Sequence, residues 1–294
     1  MTARVLDGRI IAASVRADLE PIAAAYQRTH GRLATLAILT VGRDPASLVY
    51  ANSLRRAAAS LHMDARHIRL DEDINDIDLR RAIEDLNTDH DVQGILVELP
   101  LPPHLSQQVV AEAIDPRKDV DGIGIRNLGA LFLRLPSFVP ATCAAVLEVL
   151  DRAEINVADQ RVVVVGASNV VGKPLAFLLL HRDATVTVCH IDTRDLTHWT
   201  RQADVLVVAV GRPGLITAAM VKPGAVVVDV GINVREDGAI SGDVAFEEVA
   251  AVAGAITPAP GGVGQLTNLM LLRQTLLAGD LLDQPDGDRS NNSA

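Results

Sequence analysis

Apolar residues occur along the chain in short unbroken runs, and segments with helix-like apolar spacing separate these runs. The clearest run is 162–165, because four valines without polar alternation are typical of a strand buried on both faces. Other such runs predict strands over 33–41, 66–70, 92–100, 184–189, 205–210, 226–230 and 254–256. Their alternation with helices predicts an α/β fold with parallel sheets.

Helical spacing of apolar residues predicts helices over 9–29, 46–61, 76–86, 107–114, 139–150, 174–180 and 266–282. On the helix over 46–61, Ser47, Tyr50 and Leu54 share one face because they are three and four residues apart. Asp76 is the expected N-cap of its helix. The alternation forms one unit up to about residue 135 and a second from 161 onward, so the chain has two α/β domains.

Composition narrows the class of protein. Aromatic residues make up only 2% of the 294 residues, so the core is expected to consist of Ala, Val, Leu and Ile. A formal charge of −10 argues against nucleic acid or an anionic membrane as a partner, because both need a basic face. Cys143 and Cys189 provide neither a disulfide framework nor a metal cluster. With no signal-peptide pattern and no membrane-length apolar run, we expect a soluble cytoplasmic protein.

The segment 166–174, Gly-Ala-Ser-Asn-Val-Val-Gly-Lys-Pro, follows the four-valine strand directly. A strand, a glycine-bracketed turn and a helix start present backbone N–H groups at a positive helix end, which suits a phosphate. The spacing Gly-x-Ser-x-x-x-Gly differs from the dinucleotide fingerprint, so alone it also fits an ordinary strand-to-helix turn. Pro174 is expected in the first turn of the helix.

Six segments together resemble the bifunctional methylenetetrahydrofolate dehydrogenase/methenyltetrahydrofolate cyclohydrolase family. The matching segments, in the family's order, are 41–50, 94–102, 118–122, 166–174, 229–233 and 257–264. The resemblance implies a folate domain over 1–138 joined by the last helix (266–283), a Rossmann domain over 139–265, an active cleft between them and a homodimer. We expect the polar tail 284–294 to be disordered.

The resemblance also implies residue roles. Tyr50 matches the tyrosine that stacks on folate, and Asp121 matches the aspartate that binds the pterin amino group. The implied cofactor residues are Gly166, Ser168, Asn169, Val170, His190, Asp192, Gly211, Ile232 and Gly262. The implied substrate residues are Tyr50, Asp121, Pro260, Gly261, Gly262 and Val263. No metal site is expected.

The implied catalytic set consists of Tyr50, Leu54, Glu98 and Asp121. Two of them, Leu54 and Glu98, depart from the family pattern. Leu54 stands where the family has a lysine that manages protons in the hydrolytic step, and leucine has no proton to give. Glu98 stands where the family has a glutamine. Arg55 and Arg56 are poor substitutes, because they point elsewhere around the helix and stay protonated. We therefore expect dehydrogenase activity to persist and cyclohydrolase activity to be lost or weak.

Three alternatives stay open. The carboxyl groups of Glu98 and Asp121 would repel each other, so one of them should hold its proton. A protonated Glu98 could donate where the lysine otherwise would. The full bifunctional enzyme, with formyltetrahydrofolate as product, is therefore the first alternative. The chain could be a catalytically inactive folate-binding paralogue. It could also act on a different pterin or one-carbon donor.

The predicted cofactor is NAD or NADP, with NAD slightly favoured. Family members that prefer NADP commonly have a serine and often a basic residue after the histidine that follows the second Rossmann strand. Here Ile191 and Asp192 follow His190. A carboxylate at this place favours a ribose hydroxyl and repels a ribose phosphate. Arg194 is close enough in sequence to bind the phosphate instead.

Overall fold

A computed structural model describes residues 2–234 and 238–283. The predicted disorder of 284–294 lies outside the described residues. The strands are β1 (Arg4–Val5), β2 (Thr35–Val41), β3 (Asp64–Leu70), β4 (Gly94–Val97), β5 (Arg161–Val165), β6 (Thr185–Cys189), β7 (Val205–Val208), β8 (Val226–Asp229), β9 (Asn233–Val234), β10 (Ile240–Ser241) and β11 (Ala255–Ile256). The helices are α1 (Gly8–His30), α2 (Pro45–Ser60), α3 (Asp76–Thr88), α4 (Gln107–Ala113), α5 (Ile125–Phe132), α6 (Ala141–Arg152), α7 (Gly172–Leu180), α8 (Leu196–Thr200), α9 (Phe246–Ala250) and α10 (Gly264–Asp283), with a 3-10 turn at Ala218–Met220.

Internal contacts divide the described chain into two units. The six-stranded unit consists of residues 2–14 and 142–267. The three-stranded unit consists of residues 15–141 and 268–283. The predicted fold class, an α/β chain with a parallel-sheet Rossmann domain following another α/β domain, is confirmed.

The six-stranded unit contains a parallel sheet in the order β1-β11-β8-β7-β5-β6. Val163 and Val165 of β5 and Leu206 and Val208 of β7 lie in one buried apolar cluster, as the unbroken apolar runs predict. The chain passes from β5 to β6 on one side and then crosses to β7 on the other side. The carboxyl ends of β5 and β7 are therefore a topological switch point, where open α/β sheets form their ligand crevice.

The first residues of the chain belong to the six-stranded unit, which differs from the predicted domain over 1–138. Arg4 and Val5 pair with Ala255 and Ile256 of β11. Gly8 packs on the 261–262 backbone so closely that a Cβ there would lie 2.0 Å from the Gly262 carbonyl oxygen. A two-residue strand is too short to produce a recognisable apolar pattern, so the sequence did not reveal this pairing.

The three-stranded unit has a parallel sheet in the order β3-β2-β4. The central strand β2 is completely buried over Leu36–Leu39, because helices cover a parallel sheet on both faces. Asp119 forms a parallel bridge to Ile95, which extends the sheet beyond β4. Within this unit α10 supplies Gln274, which donates to the carbonyls of Val120 and Val139.

Several local predictions need correction. Asn75, not Asp76, caps α3, since its Oδ1 accepts the N–H groups of Ile77 and Asp78, while Asp76 accepts the N–H of Ser106. Helix α7 begins at Gly172, which still leaves Pro174 in its first turn as predicted. The short elements α5, α8, α9, β9 and β10 were not predicted. Within residues 2–234 and 238–283 no helix is long and apolar enough to cross a membrane.

Candidate functional site

The turn after β5 is built on two glycines that have no space for a side chain. Gly166 has a φ of 124°, and a Cβ there would lie 2.2 Å from the carbonyl oxygen of Ala209. A Cβ on Gly172 would lie 1.9 Å from the carbonyl oxygen of Gly166. Because both obstacles are backbone atoms, they cannot rotate away. The turn therefore requires glycine at each position, and the chain passes tightly from β5 to α7.

The polar side chains of this turn are partly used to shape it. The Ser168 Oγ accepts the N–H groups of Val171 (3.1 Å) and Gly172 (3.4 Å). Those two N–H groups are thus satisfied within the turn, which revises the expectation that the helix start offers them to a phosphate. Asn169 is exposed and accepts a hydrogen bond from the Lys173 Nζ at 2.8 Å. An ammonium group and an open polar turn at a helix start nevertheless fit a phosphate group.

The remaining predicted cofactor residues lie where neighbouring strands end. His190 follows β6, Gly211 follows the β7 end and Ile232 follows β8, so all lie at the carboxyl edge of the sheet. The turn after β6 is held by the His190 N–H, which donates to Thr193 Oγ1, and by the Asp192 N–H, which donates to His190 Nδ1. The side chain of Asp192 is 88% exposed. A carboxylate is thus presented at the edge of the sheet.

A cavity of about 120 Å³ lies at the same edge of the six-stranded unit. Its lining comprises residues 229–232, Ile240 and 258–265. The structure therefore brings Ile232 together with the predicted residues Pro260, Gly261, Gly262 and Val263. The cavity and the turn after β5 belong to one unit and one sheet edge, which suits an extended ligand such as a dinucleotide.

The predicted catalytic residues of the three-stranded unit lie near the carboxyl ends of β2 and β4. Tyr50 and Leu54 are one turn apart on α2, whose N-cap Asp44 accepts the Ser47 N–H at 2.8 Å. Leu54 is completely buried, whereas Tyr50 is partly exposed. Glu98 follows β4, and its N–H donates to the Leu39 carbonyl. Asp121 accepts the N–H of Ala141 at 3.1 Å.

Three of these residues have raised pKa values, and the charge of Asp121 contributes to the shifts of Tyr50 and Glu98. Burial, and then the charges of Asp121 and Glu98, raise the pKa of Tyr50. Burial raises the pKa of Glu98 to about 7, and the carboxylates of Asp121 and Asp44 add to the shift. Burial also raises the pKa of Asp121 to about 7, although the Ala141 N–H opposes the shift. Tyr50, Glu98 and Asp121 thus form an acidic cluster with two carboxyl groups that exchange protons near neutral pH.

Sequence reasoning missed the residues that position these groups. The buried carboxylate of Asp119 accepts the N–H groups of Ile123 and Gly124 and the amide of Asn127, which fixes the loop that carries Asp121. Gln274 connects the same loop to Val139, since it donates to the carbonyls of Val120 and Val139 and accepts the Val139 N–H. Asp119 lies inside a recognised motif and could have been found there. Asn127 and Gln274 lie in no motif that the sequence singled out.

The six-stranded unit contains two further buried carboxylates, Asp229 and Asp243. Asp229 accepts the N–H groups of Gly231, Asp243 and Val244. Burial nevertheless raises its pKa to about 6. Within the described parts of the chain, no group of three or more His, Cys, Asp or Glu residues could hold a metal ion.

A parallel sheet with a glycine-bracketed turn at its switch point defines an α/β protein of the dinucleotide-binding class. The sequence profile of the tetrahydrofolate dehydrogenase/cyclohydrolase NAD(P)-binding domain matches residues 140–281, and that of the catalytic domain matches residues 6–121. The chain belongs to this family of enzymes, as its sequence motifs indicate.

Curated relatives and solved structures agree with this assignment. The bifunctional protein FolD of Bordetella avium is 48% identical over 280 residues, which cover 95% of this chain and 98% of the relative. The crystal structure of the FolD methylenetetrahydrofolate dehydrogenase/cyclohydrolase of Campylobacter jejuni is similar with a TM-score of 0.92 and 42% identity, covering 95% of this chain and 99% of that one. The Trypanosoma brucei FolD, complexed with NADP and an inhibitor, has a TM-score of 0.92 and 35% identity over 97% of this chain and all of that one.

Proposed function

We propose that this protein oxidises methylenetetrahydrofolate to methenyltetrahydrofolate with a nicotinamide dinucleotide, and hydrolyses the methenyl product weakly or not at all. The oxidation is supported by the family and by relatives that are named for dehydrogenase activity. The observation behind the second part is the burial of Leu54, a wholly enclosed aliphatic side chain one helical turn from Tyr50. The resemblance assigns a proton-handling lysine to this position.

Hydride transfer makes modest demands on the protein. The bound dinucleotide supplies the hydride acceptor, and the substrate's own nitrogens stabilise the positive charge that forms when the methylene carbon loses hydride. The protein's task is to hold the two rings in register. Tyr50 would stack on the pterin, and Asp121 would accept hydrogen bonds from its amino group. The turn after β5 and the cavity lined by Ile232 and 260–263 would hold the dinucleotide.

Hydrolysis of the methenyl bridge is more demanding, because a water must lose a proton and a ring nitrogen must later gain one. Leucine can take no part in either transfer. The charges that act on Glu98 are those of Asp121 and Asp44, both carboxylates. This acidic surrounding differs from one containing a lysine, and it supports the expectation of slow hydrolysis.

A second candidate is the full bifunctional enzyme, and two observations favour it. The relatives named above are bifunctional proteins. The pKa of Glu98, raised to about 7, makes this side chain a proton donor and acceptor at neutral pH. In this alternative Glu98 replaces the lysine in the hydrolytic step, and formyltetrahydrofolate is the product.

We further propose that NAD is preferred over NADP. The exposed carboxylate of Asp192 follows the second strand of the Rossmann order, where it can accept a hydrogen bond from a ribose hydroxyl and would repel a phosphate. The homodimer implied by the resemblance and the cytoplasmic location expected from the sequence stay predictions.

The double variant Leu54→Lys with Glu98→Gln tests the proposed loss of hydrolysis. We expect methenyl hydrolysis to increase about tenfold or more over wild type, because an amine and a neutral amide replace the two departures. Val49→Lys is the matched control, since it adds the same charge to an exposed position of α2 and should leave hydrolysis unchanged. Thermal unfolding of each variant establishes that it is folded at the assay temperature. Wild type that hydrolyses as fast as the Bordetella avium relative would contradict the proposal.

A further inference from the structure

Asp243 is completely buried in the six-stranded unit, and four N–H donors converge on its carboxylate. Its Oδ2 accepts the backbone N–H groups of Val210 (2.7 Å) and Gly211 (3.0 Å). Its Oδ1 accepts the backbone N–H of Arg212 (2.7 Å) and the side-chain amide of Asn233 (2.9 Å). A carboxylate is an acceptor only, and both of its oxygens are fully used here.

These donors come from two different loops of the sheet edge. Residues 210–212 follow β7, and Asn233 belongs to the segment that follows β8. The Asp243 N–H also donates to Asp229 Oδ1 at 3.1 Å, which holds the backbone of Asp243 in place. One buried side chain therefore connects the ends of two parallel strands at the switch-point edge.

The backbone around Asp243 is shaped to admit the carboxylate. A Cβ on Gly231 would lie 2.3 Å from the Asp243 Cγ, so the segment after β8 lies directly against this group. Gly231 and Ile232 line the 120 Å³ cavity, and Gly211 is one of the predicted cofactor residues. The groups that would contact the dinucleotide are thus held in place by a residue that is hydrogen-bonded to, or packed against, their segments.

We propose that Asp243 is a positioning residue for dinucleotide binding: it fixes the 210–212 turn and the 231–233 segment relative to each other. The inference rests on the proposed function, because it assumes that these two segments contact the dinucleotide. An asparagine has nearly the same shape, but its NH₂ group donates and cannot accept. The N–H groups that face this NH₂ in Asp243→Asn therefore lose their hydrogen bonds.

The test is direct binding of NAD and NADP to the folate-free protein, measured by calorimetry for wild type and for Asp243→Asn. We expect the dissociation constant of the preferred dinucleotide to rise about tenfold or more in Asp243→Asn. At saturating dinucleotide the turnover number should stay within about threefold of wild type, since positioning is restored by mass action. A merely structural role would instead lower the amount of active protein and leave the dissociation constant unchanged.

Asp204→Asn is the matched control. This carboxylate precedes β7 at the opposite edge of the same sheet, where it accepts the N–H of Arg161 and pairs with Lys222. The substitution Asp204→Asn removes the same charge from the same unit. Dinucleotide affinity should stay within about twofold of wild type.

Asn233→Ala provides a second variant that keeps the carboxylate and its three backbone donors. We expect about a threefold rise in the dissociation constant, because one of four connections is lost. Unchanged affinity in a folded Asp243→Asn, or in Asn233→Ala when Asp243→Asn does not fold, would overturn the inference. Wild-type protein that binds neither dinucleotide would overturn the proposed function and this inference together, so the two failures are distinguishable.

Discussion

Both units place acidic side chains near the carboxyl ends of parallel strands, but Asp243 of the six-stranded unit and the acidic cluster of the three-stranded unit have different surroundings. In the six-stranded unit, Asp243 accepts four N–H groups and Asp229 accepts three, so these carboxylates hold backbone segments. In the three-stranded unit, Asp121 accepts the N–H of Ala141, and the pKa values of Glu98 and Asp121 are both raised to about 7.

This difference separates two uses of a carboxyl group. A carboxylate whose two oxygens each accept two N–H groups, such as that of Asp243, holds loops together. A half-buried carboxyl group that titrates near neutral pH can exchange protons with a substrate. In the proposed function, the six-stranded unit binds the dinucleotide, and the acidic cluster of Tyr50, Glu98 and Asp121 serves the chemistry.

The largest effect is expected from Gly172→Ala in the turn after β5. In Gly172→Ala the new Cβ meets the backbone oxygen of Gly166, which cannot rotate away, so the turn after β5 must distort. We expect dinucleotide affinity to fall about 100-fold or more, with a loss of about 1–3 kcal/mol in the free energy of unfolding. Calorimetric binding and thermal unfolding measure the two quantities.

Gly129→Ala is the control for that substitution. Gly129 lies on α5 with no heavy atom within 4 Å of the added Cβ, so alanine should raise stability by about 0.5–1 kcal/mol through its helix propensity. Undiminished dinucleotide affinity in Gly172→Ala would show that the tight turn does not shape the binding site.

An intermediate effect is expected from Glu98→Gln in the acidic cluster. Because the pKa of native Glu98 is raised to about 7 from its ordinary value of 4.5, the folded protein binds more protons than the unfolded chain between these values. Stability should therefore fall as the pH rises from 5 to 8 in wild type. The amide does not titrate, so the variant lacks this pH dependence. The free energy of unfolding of Glu98→Gln relative to that of wild type should therefore be higher at pH 8 than at pH 5, by on the order of 1 kcal/mol.

The measurement is thermal unfolding across this pH range for wild type, Glu98→Gln and Glu84→Gln. Glu84 is an exposed acid on α3 of the same unit, and Glu84→Gln is the control that makes the same chemical change outside the acidic cluster. A stability difference between Glu98→Gln and wild type that is the same at pH 5 and pH 8 would mean that Glu98 does not titrate near neutrality.

The smallest effect is expected from Asp192→Ser in the turn after β6. Because the carboxylate is almost fully exposed, solvent screens its charge, and the ratio of kcat/KM for NADP to that for NAD should rise only about three- to tenfold. Glu247→Gln, at an exposed acid on α9, should leave the ratio unchanged. A strong NADP preference already present in wild type would contradict the interpretation of Asp192.

The predictable parts of the fold were those with a local physical cause. The four valines of β5 required burial on both faces, and the glycines at 166 and 172 marked a turn without room for side chains. The N-cap of α3 was misassigned because Asn75 and Asp76 are adjacent and both residue types cap helices. Strand β1 could not be predicted, because its two residues form a strand only by pairing with β11, about 250 positions away.

The residues of the candidate site likewise differ in whether the sequence could reveal them. Tyr50, Glu98 and Asp121 lie in motifs and could be named from the sequence. The effect of the two carboxylates on the pKa of Tyr50 follows from the structure. Asp243 could not be named, because its donors lie about 30 residues earlier in the chain and ten residues earlier at Asn233. The complete burial of Leu54 likewise depends on the packing around α2, which a helical pattern does not specify.

The central claim is that this chain retains hydride transfer and has lost efficient hydrolysis. The most direct test incubates the purified protein with methylenetetrahydrofolate and either dinucleotide, and follows the reduced dinucleotide and the methenyl absorbance together, with the Bordetella avium relative assayed in parallel. We predict that the dinucleotide is reduced while methenyltetrahydrofolate accumulates to nearly the same amount. Reduction without accumulation, at the rate at which the relative clears the methenyl product, would contradict the account.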